Sequence, residues 1–293
     1  MTFELQRVRF QFRAAGLLHF PASKASNTAR GAFGGILRKQ VCLAGCDDAK
    51  TCDVRETCPY ARVFAPQAAP GEGPSGLLDR PRPFVFRASH LNGSTIRAGE
   101  PFHFDVHLFD ARGDLSSESF PHFIHAFEQL GREGLGPGRG RAELVDVDQL
   151  NLVFDLASVP ERARRARVRF VTPTELKSGR EIVDRPEFAI LFARLRDRIS
   201  TLRALYGAGP LEIDFRAMGE AAAAVRMTRC ELEHRTVERR SSRTAQRHPL
   251  GGFVGEAEYE GELSPFVNYL KLGKWVGVGR QTVWGKGEIE VVF

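Results

Sequence analysis

Lysine is scarce in this chain. Only 7 of the 42 lysines and arginines are lysine (positions 24, 39, 50, 177, 271, 274 and 286), which leaves 35 arginines. The planar fork of arginine suits bidentate phosphate contacts and stacking on bases. A GC-rich genome also favours arginine everywhere, so the places where arginines cluster say more than the ratio. Long apolar runs are absent too: no stretch of about 18 apolar residues occurs, so no membrane-spanning helix is expected. The opening Met1-Thr2-Phe3-Glu4-Leu5 lacks a charged segment followed by an apolar one, so no secretory leader is expected and the chain is placed in the cytoplasm. What is present, 42% hydrophobic and 27% charged residues over 293 positions at net charge +6, describes a soluble globular chain with room for two ordinary domains.

Cysteine is concentrated. Cys42, Cys46, Cys52 and Cys58 fall within 17 residues, separated by three, five and five others. In a cytosolic chain such a cluster points to a metal knot before disulfides. Zinc, an iron–sulfur cluster and free thiols all remain open; four thiolates would make a closed, structural zinc site. Cys230 stands apart and reads as a small core residue.

Hydrophobic periodicity gives the elements. Apolar residues at 3, 5, 8, 10 and 12 predict a half-buried strand over Phe3 to Arg13. A helix follows from about Thr28 to Leu43, with Phe33, Ile36, Leu37 and Val41 as its stripe and Ser26 or Asn27 as cap. Gly31, Gly34 and Gly35 in that helix predict something packed closely on it. Strands at 83–89 and 101–109, a helix at 119–130 and a strand at 141–155 complete a βαββαβ order, which is the ferredoxin-like arrangement. An arginine-rich stretch, Pro160 to Arg167, predicts a boundary. The order then repeats: a strand from Val168 to Thr172, a helix over 186–206, strands at 223–237 and 252–262, a short helix from Ser264-Pro265 to Gly273, and a last strand from Glu288. The expected fold is α+β, two tandem ferredoxin-like domains at 1–160 and 161–293, the first carrying the four-cysteine insertion at 42–58.

Each expected domain places a glycine-rich loop before its final strand. The first reads Gly134-Leu135-Gly136-Pro137-Gly138-Arg139-Gly140-Arg141. The second reads Gly277-Val278-Gly279-Arg280-Gln281-Thr282-Val283-Trp284-Gly285-Lys286-Gly287. Glycine lets a backbone turn through positive φ and approach another closely, and cations in the same loop suggest a phosphate chain nearby. A second arginine concentration, Arg235, Arg239, Arg240, Arg243 and Arg247, lies in a stretch poor in apolar residues. It reads as an arm able to track RNA phosphates.

These features together resemble the RAMP superfamily, closest to the endoribonucleases that process CRISPR repeats. The supporting stretches are Thr28 to Gly34 onward through the cysteines to Cys58-Pro59-Tyr60-Ala61-Arg62-Val63-Phe64, then Thr172-Pro173-Thr174-Glu175-Leu176-Lys177, and then Gly252 to Gly287. The resemblance implies cleavage of precursor CRISPR RNA without a catalytic metal: a ribose 2′-hydroxyl attacks the adjacent phosphate, leaving a 2′,3′-cyclic phosphate and a 5′-hydroxyl. It also implies a histidine on or near the first helix, acting with a tyrosine or lysine. That helix holds no histidine here. His19, at the end of the preceding strand, is the nearest candidate for acid–base work, with Lys24 and Arg30 as charge stabilisers, and His248 is the second candidate. The RNA-binding set is Arg139, Arg141, Arg235, Arg239, Arg240, Arg243, Arg247, Arg280 and Lys286. Three functions stand open: a repeat-cleaving endoribonuclease, a non-cleaving RAMP subunit that holds guide RNA beside other effector subunits, and a zinc-stabilised nucleic-acid-binding protein unrelated to CRISPR.

Overall fold

The computed structural model describes residues 1–43, 46, 48–49, 51–67, 80–110, 116–158, 162–240 and 247–293. They form two compact units, Glu4–Val153 with Thr201–Gly209, and Met1–Phe3 with Phe154–Ser200 and Pro210–Phe293.

The first unit runs β1 (Thr2–Ala14), α1 (Ala25–Val41), β2 (Phe84–Arg87), β3 (Pro101–Leu108), α2 (Ser116–Glu133) and β4 (Ala142–Asp155). Its sheet order is β2–β3–β1–β4, with β1 and β2 each antiparallel to β3. That order and sequence make a ferredoxin-like unit. The alternation on β1 buries Val8, Phe10 and Phe12 under the helices. Phe10 stacks on Phe127 of α2 at 3.8 Å between centroids, and Phe33 of α1 stacks on the same ring at 4.7 Å. The predicted close packing on α1 holds at Gly34, where a Cβ would lie 2.7 Å from the Phe64 ring of the short helix Pro59–Phe64. Gly31 and Gly35 face open space.

Helix α1 starts at Ala25, and neither Ser26 nor Asn27 caps it. The reason is a competing demand for pairing at the strand end. The Ser26 hydroxyl accepts from Ala88 N–H at 2.9 Å, while the first helical amide, Ala25 N–H, donates to Asn92 Oδ1 at 3.0 Å. Buried backbone amides must be paired, and these two partners satisfy both ends.

The second unit repeats the plan with β5 (Arg165–Thr174), α3 (Phe188–Tyr206), β6 (Arg226–Arg235), β7 (Gly252–Glu260), α4 (Val267–Val276) and β8 (Ile289–Val292). Its sheet order is β6–β7–β5–β8, the same as the first. The strand expected from 223 begins at Arg226, because Phe215–Ala223 is a helix capped by Asp214, whose Oδ1 accepts from Arg216 N–H and Ala217 N–H. Phe188, Phe192, Phe266 and Tyr269 form an edge-to-face aromatic core. On the other face of this sheet Arg165 pairs with Glu260 at 3.5 Å, Arg167 with Glu258 at 3.1 Å and Arg169 with Glu290 at 3.6 Å. The arginine run that marks the boundary in the sequence is therefore an exposed cross-strand ion ladder, each pair weak by itself.

Candidate nucleic-acid interface

His19 is exposed, at the end of a two-residue strand, Leu18–His19, paired with Thr95–Ile96. Its Nδ1 lies 3.2 Å from the Thr95 hydroxyl. The first glycine loop folds directly over this segment. A Cβ at Gly136 would lie 2.5 Å from the His19 carbonyl oxygen, and one at Gly140 would lie 2.4 Å from that of Leu17. Ala15 N–H donates to Arg141 O at 2.8 Å, and Leu135 and Gly140 close the loop by exchanging both backbone hydrogen bonds. Arg139 sits at its tip, exposed and at φ 47°. The structure thus brings His19, Arg139 and Arg141, far apart in sequence, to one surface. Lys24 is half-buried at the N-cap position of α1. Arg30 is turned inward, 7% exposed, with its guanidinium 5.3 Å from the Phe64 ring centroid. A role for Arg30 in steadying charge on a substrate is not supported by that burial.

The second glycine loop is knitted into its own unit. Val278 N–H donates to Gly287 O, Arg280 N–H to Glu175 O, Trp284 N–H to Gln281 O, Gly285 N–H to Thr282 O and Gly287 N–H to Pro173 O. Those amides are occupied by protein carbonyls, so they do not form a phosphate cradle. Gly279 and Gly287 are needed for close approach: Cβ atoms there would lie 2.4 Å from Glu175 O and 1.9 Å from Val278 O, at φ +83° and +67°. Arg280 is exposed at its guanidinium and ion-pairs with Glu175. Lys286 is 3% exposed and hydrogen-bonded within the protein, which places it beneath the surface rather than on RNA.

The arginine arm between β6 and β7 has its own ladder, Glu238–Arg240 against Arg247–Pro249, in which Arg239 pairs with His248 and Arg240 with Arg247. Arg243 lies outside the described residues, as do the side chains of Arg239, Arg240, Arg247 and His248. Arg235, at the arm's root, is exposed beside Glu233 at 3.6 Å.

One cluster escaped the sequence reading. His90 and His103 stack at 4.2 Å on the helix-free face of the first sheet, where Arg9 donates two hydrogen bonds to Asp105. Burial and the neighbouring His90 push His103 below the usual imidazole range. Burial raises the Asp105 carboxyl, but the hydrogen bond and charge of Arg9 outweigh it and hold the group below its ordinary value. On the same face Gln11 donates to Asp146, and Arg7 ion-pairs with Asp148. The period-2 pattern of β3 puts His103 and Asp105 on this face, whereas His90 comes from a short 3-10 turn that no periodicity announces.

The four clustered cysteines are free. Cys42 feels the charge of Cys58 and Cys46, and Cys46 that of Cys52. Burial and the neighbouring thiols push Cys42 up to about 12. Cys58 joins a small core with Ala49 and Ala61. Among the described residues no three metal-binding side chains surround a common ion position.

Two ferredoxin-like units, each with a glycine loop before its final strand, define a tandem ferredoxin-like architecture that gathers arginines and an exposed histidine at its first loop. Residues 168–289 match the family described as CRISPR-associated endoribonuclease Cas6, and residues 3–169 match a family described as an N-terminal domain. The Cas6 match thus lies over the second unit of the chain, and the N-terminal-domain match over the first. No curated protein matches it in sequence. Among solved structures, Thermus thermophilus Cas6 is similar over 100% of this chain and 99% of its own, with 15% identity and a TM-score of 0.56. The same Cas6 in a product complex is similar over 98% and 100%, with 17% identity and a TM-score of 0.57. In a partial Cas6-RT-Cas1–Cas2 complex the likeness covers 99% of this chain and 46% of that one, with 13% identity and a TM-score of 0.56. At these identities the likeness is one of fold. No described helix is long and apolar enough to cross a membrane.

Proposed function

We propose that the protein binds CRISPR repeat RNA and cleaves precursor CRISPR RNA by attack of a ribose 2′-hydroxyl on the adjacent phosphate. His19, exposed beneath a loop carrying Arg139 and Arg141, is the observation that carries this reading. With Nδ1–H donating to the Thr95 hydroxyl, Nε2 keeps the lone pair that a general base needs. His19 then takes the 2′-proton, the 2′-oxygen bonds to phosphorus, and the bond to the 5′-oxygen breaks. That oxygen leaves as a 5′-hydroxyl after gaining a proton, and a 2′,3′-cyclic phosphate remains. Arg139 and Arg141 hold the negative phosphates in register. Complexes of relatives with cleavage product and with Cas1–Cas2 support RNA and other CRISPR-associated subunits as partners.

Incubation with repeat RNA in EDTA tests the chemistry. A cyclic-phosphate product that disappears when the scissile nucleotide is 2′-deoxy is the expected result; cutting that survives the deoxy substitution overturns it. The absence of histidine from α1 favours, as the second reading, a subunit that holds guide RNA without cutting. Tight binding with no product would select that one. His248, on the arm, is the alternative base.

We also infer that the cysteine cluster holds structural zinc. Four thiolates would make a closed, tetrahedral structural site, and the spacing of the four cysteines within 17 residues is what supports it. Stoichiometric zinc in protein purified without chelator supports this inference, and metal-free, folded protein with four reactive thiols refutes it.

A further inference from the structure

Lys286 is a buried cation that the chemistry above does not use. Its ammonium donates to Gly251 O at 2.6 Å and to Gln281 Oε1 at 3.0 Å, and lies 3.9 Å from Glu175. Gly251 is the residue at which the arginine arm re-enters the sheet. The last rung of the β6/β7 ladder is Arg235 against Gly252, and everything between belongs to the arm. The arm's root is crowded: Leu250 N–H donates to Val237 O, and a Cβ at Gly252 would lie 2.4 Å from Thr174 O. Lys286 is therefore the side chain that ties the rigid, internally bonded glycine loop to the base of the arm.

Burial lowers Lys286 to about 8, with Glu175 opposing that shift and Arg280 adding to it. An unfolded lysine titrates near 10.4. Between those values the unfolded chain binds the extra proton, so this group makes stability rise with pH across that window. At neutral pH the buried ammonium thus lowers stability.

We propose that Lys286 is a positioning residue for RNA binding: it fixes the direction in which the arm bearing Arg239, Arg240 and Arg247 leaves the second sheet. This rests on the RNA-binding reading, and the test separates the two. Wild type and K286M are compared by tryptic cleavage within the arm, by thermal midpoint from pH 7 to 10, and by affinity for a labelled repeat RNA. K286M is expected to be cut in the arm about tenfold faster, to bind RNA about tenfold more weakly, and to lose none of its thermal midpoint at pH 7. Its advantage in midpoint over wild type should narrow as pH rises through 8. Equal arm cleavage in the two proteins overturns the proposal. So does faster cleavage that merely follows a lowered midpoint. If K286M does not fold, K286Q is read by the same criteria, since it keeps a donor for Gly251 without the charge. A wild type that fails to bind repeat RNA overturns the RNA reading and leaves the clamp to be decided by proteolysis.

Discussion

The two glycine loops occupy equivalent places, each just before the last strand of a ferredoxin-like unit, yet they do opposite things. The loop at 277–287 turns its amides onto protein carbonyls and its lysine inward. The loop at 134–141 closes on itself, exposes Arg139 and rests on the segment that ends at His19. Glycine supplies close approach in both. What differs is the partner approached: the second loop meets its own sheet's strand exits, and the first meets a candidate catalytic residue. Composition alone does not tell the two apart, because each loop carries four glycines and two cations.

The sharpest break of that comparison is steric. Gly287→Ala forces φ +67° on an alanine and a Cβ against Val278 O, so a loss of about 3–5 kcal/mol is expected in denaturant unfolding. Gly138→Ala meets nothing within 4 Å and should leave stability unchanged or raise it by up to about 1 kcal/mol. Equal losses in the two would erase the distinction between a structural loop and a presenting one.

Next in size is the chemical step. His19→Ala should lower single-turnover cleavage by about 10²–10⁴-fold while RNA affinity holds. Thr95→Val, which removes the hydroxyl partner of Nδ1, should cost about tenfold, by loss of one orienting hydrogen bond. Gly136→Ala, whose Cβ would press on the His19 carbonyl at φ +71°, should reduce cleavage out of proportion to any loss in thermal midpoint. If His248→Ala abolishes cutting and His19→Ala does not, the reacting surface belongs to the arm.

Much of the fold was legible in the sequence because it is written in short-range pattern. The period-2 stretch from Val8, the phenylalanine stripe at 120–130 and the repeated βαββαβ order all specify which faces are buried, and the structure keeps them. The site was legible less well, because its geometry is set by long-range contact. Nothing local announces that Gly136 covers His19, or that Ser26 serves Ala88 instead of capping α1. Lys286 and Arg30 read as surface cations by type alone; their burial depends on Gly251 and Phe64, which are distant in sequence. The His90–His103 stack likewise joins a turn to a strand.

The smallest expected effect concerns the arginines themselves. Arg139 and Arg141 are exposed, and no ion pair joins either to a described carboxylate, whereas Arg280 is held by Glu175 and Arg235 sits beside Glu233. An arginine already paired releases fewer counterions when it meets a phosphate, since part of its charge is compensated beforehand. The slope of log affinity against log salt should therefore fall by about 0.7–0.9 for each of Arg139→Ala and Arg141→Ala. It should change by less for Arg280→Ala, with single-site affinity changes at physiological salt of only a few-fold. The measurement is a salt titration of repeat-RNA binding for the three variants side by side. If Arg280→Ala shifts the slope as much as Arg139→Ala, the second loop reaches RNA after all, and the contrast between the loops must be drawn from His19 alone.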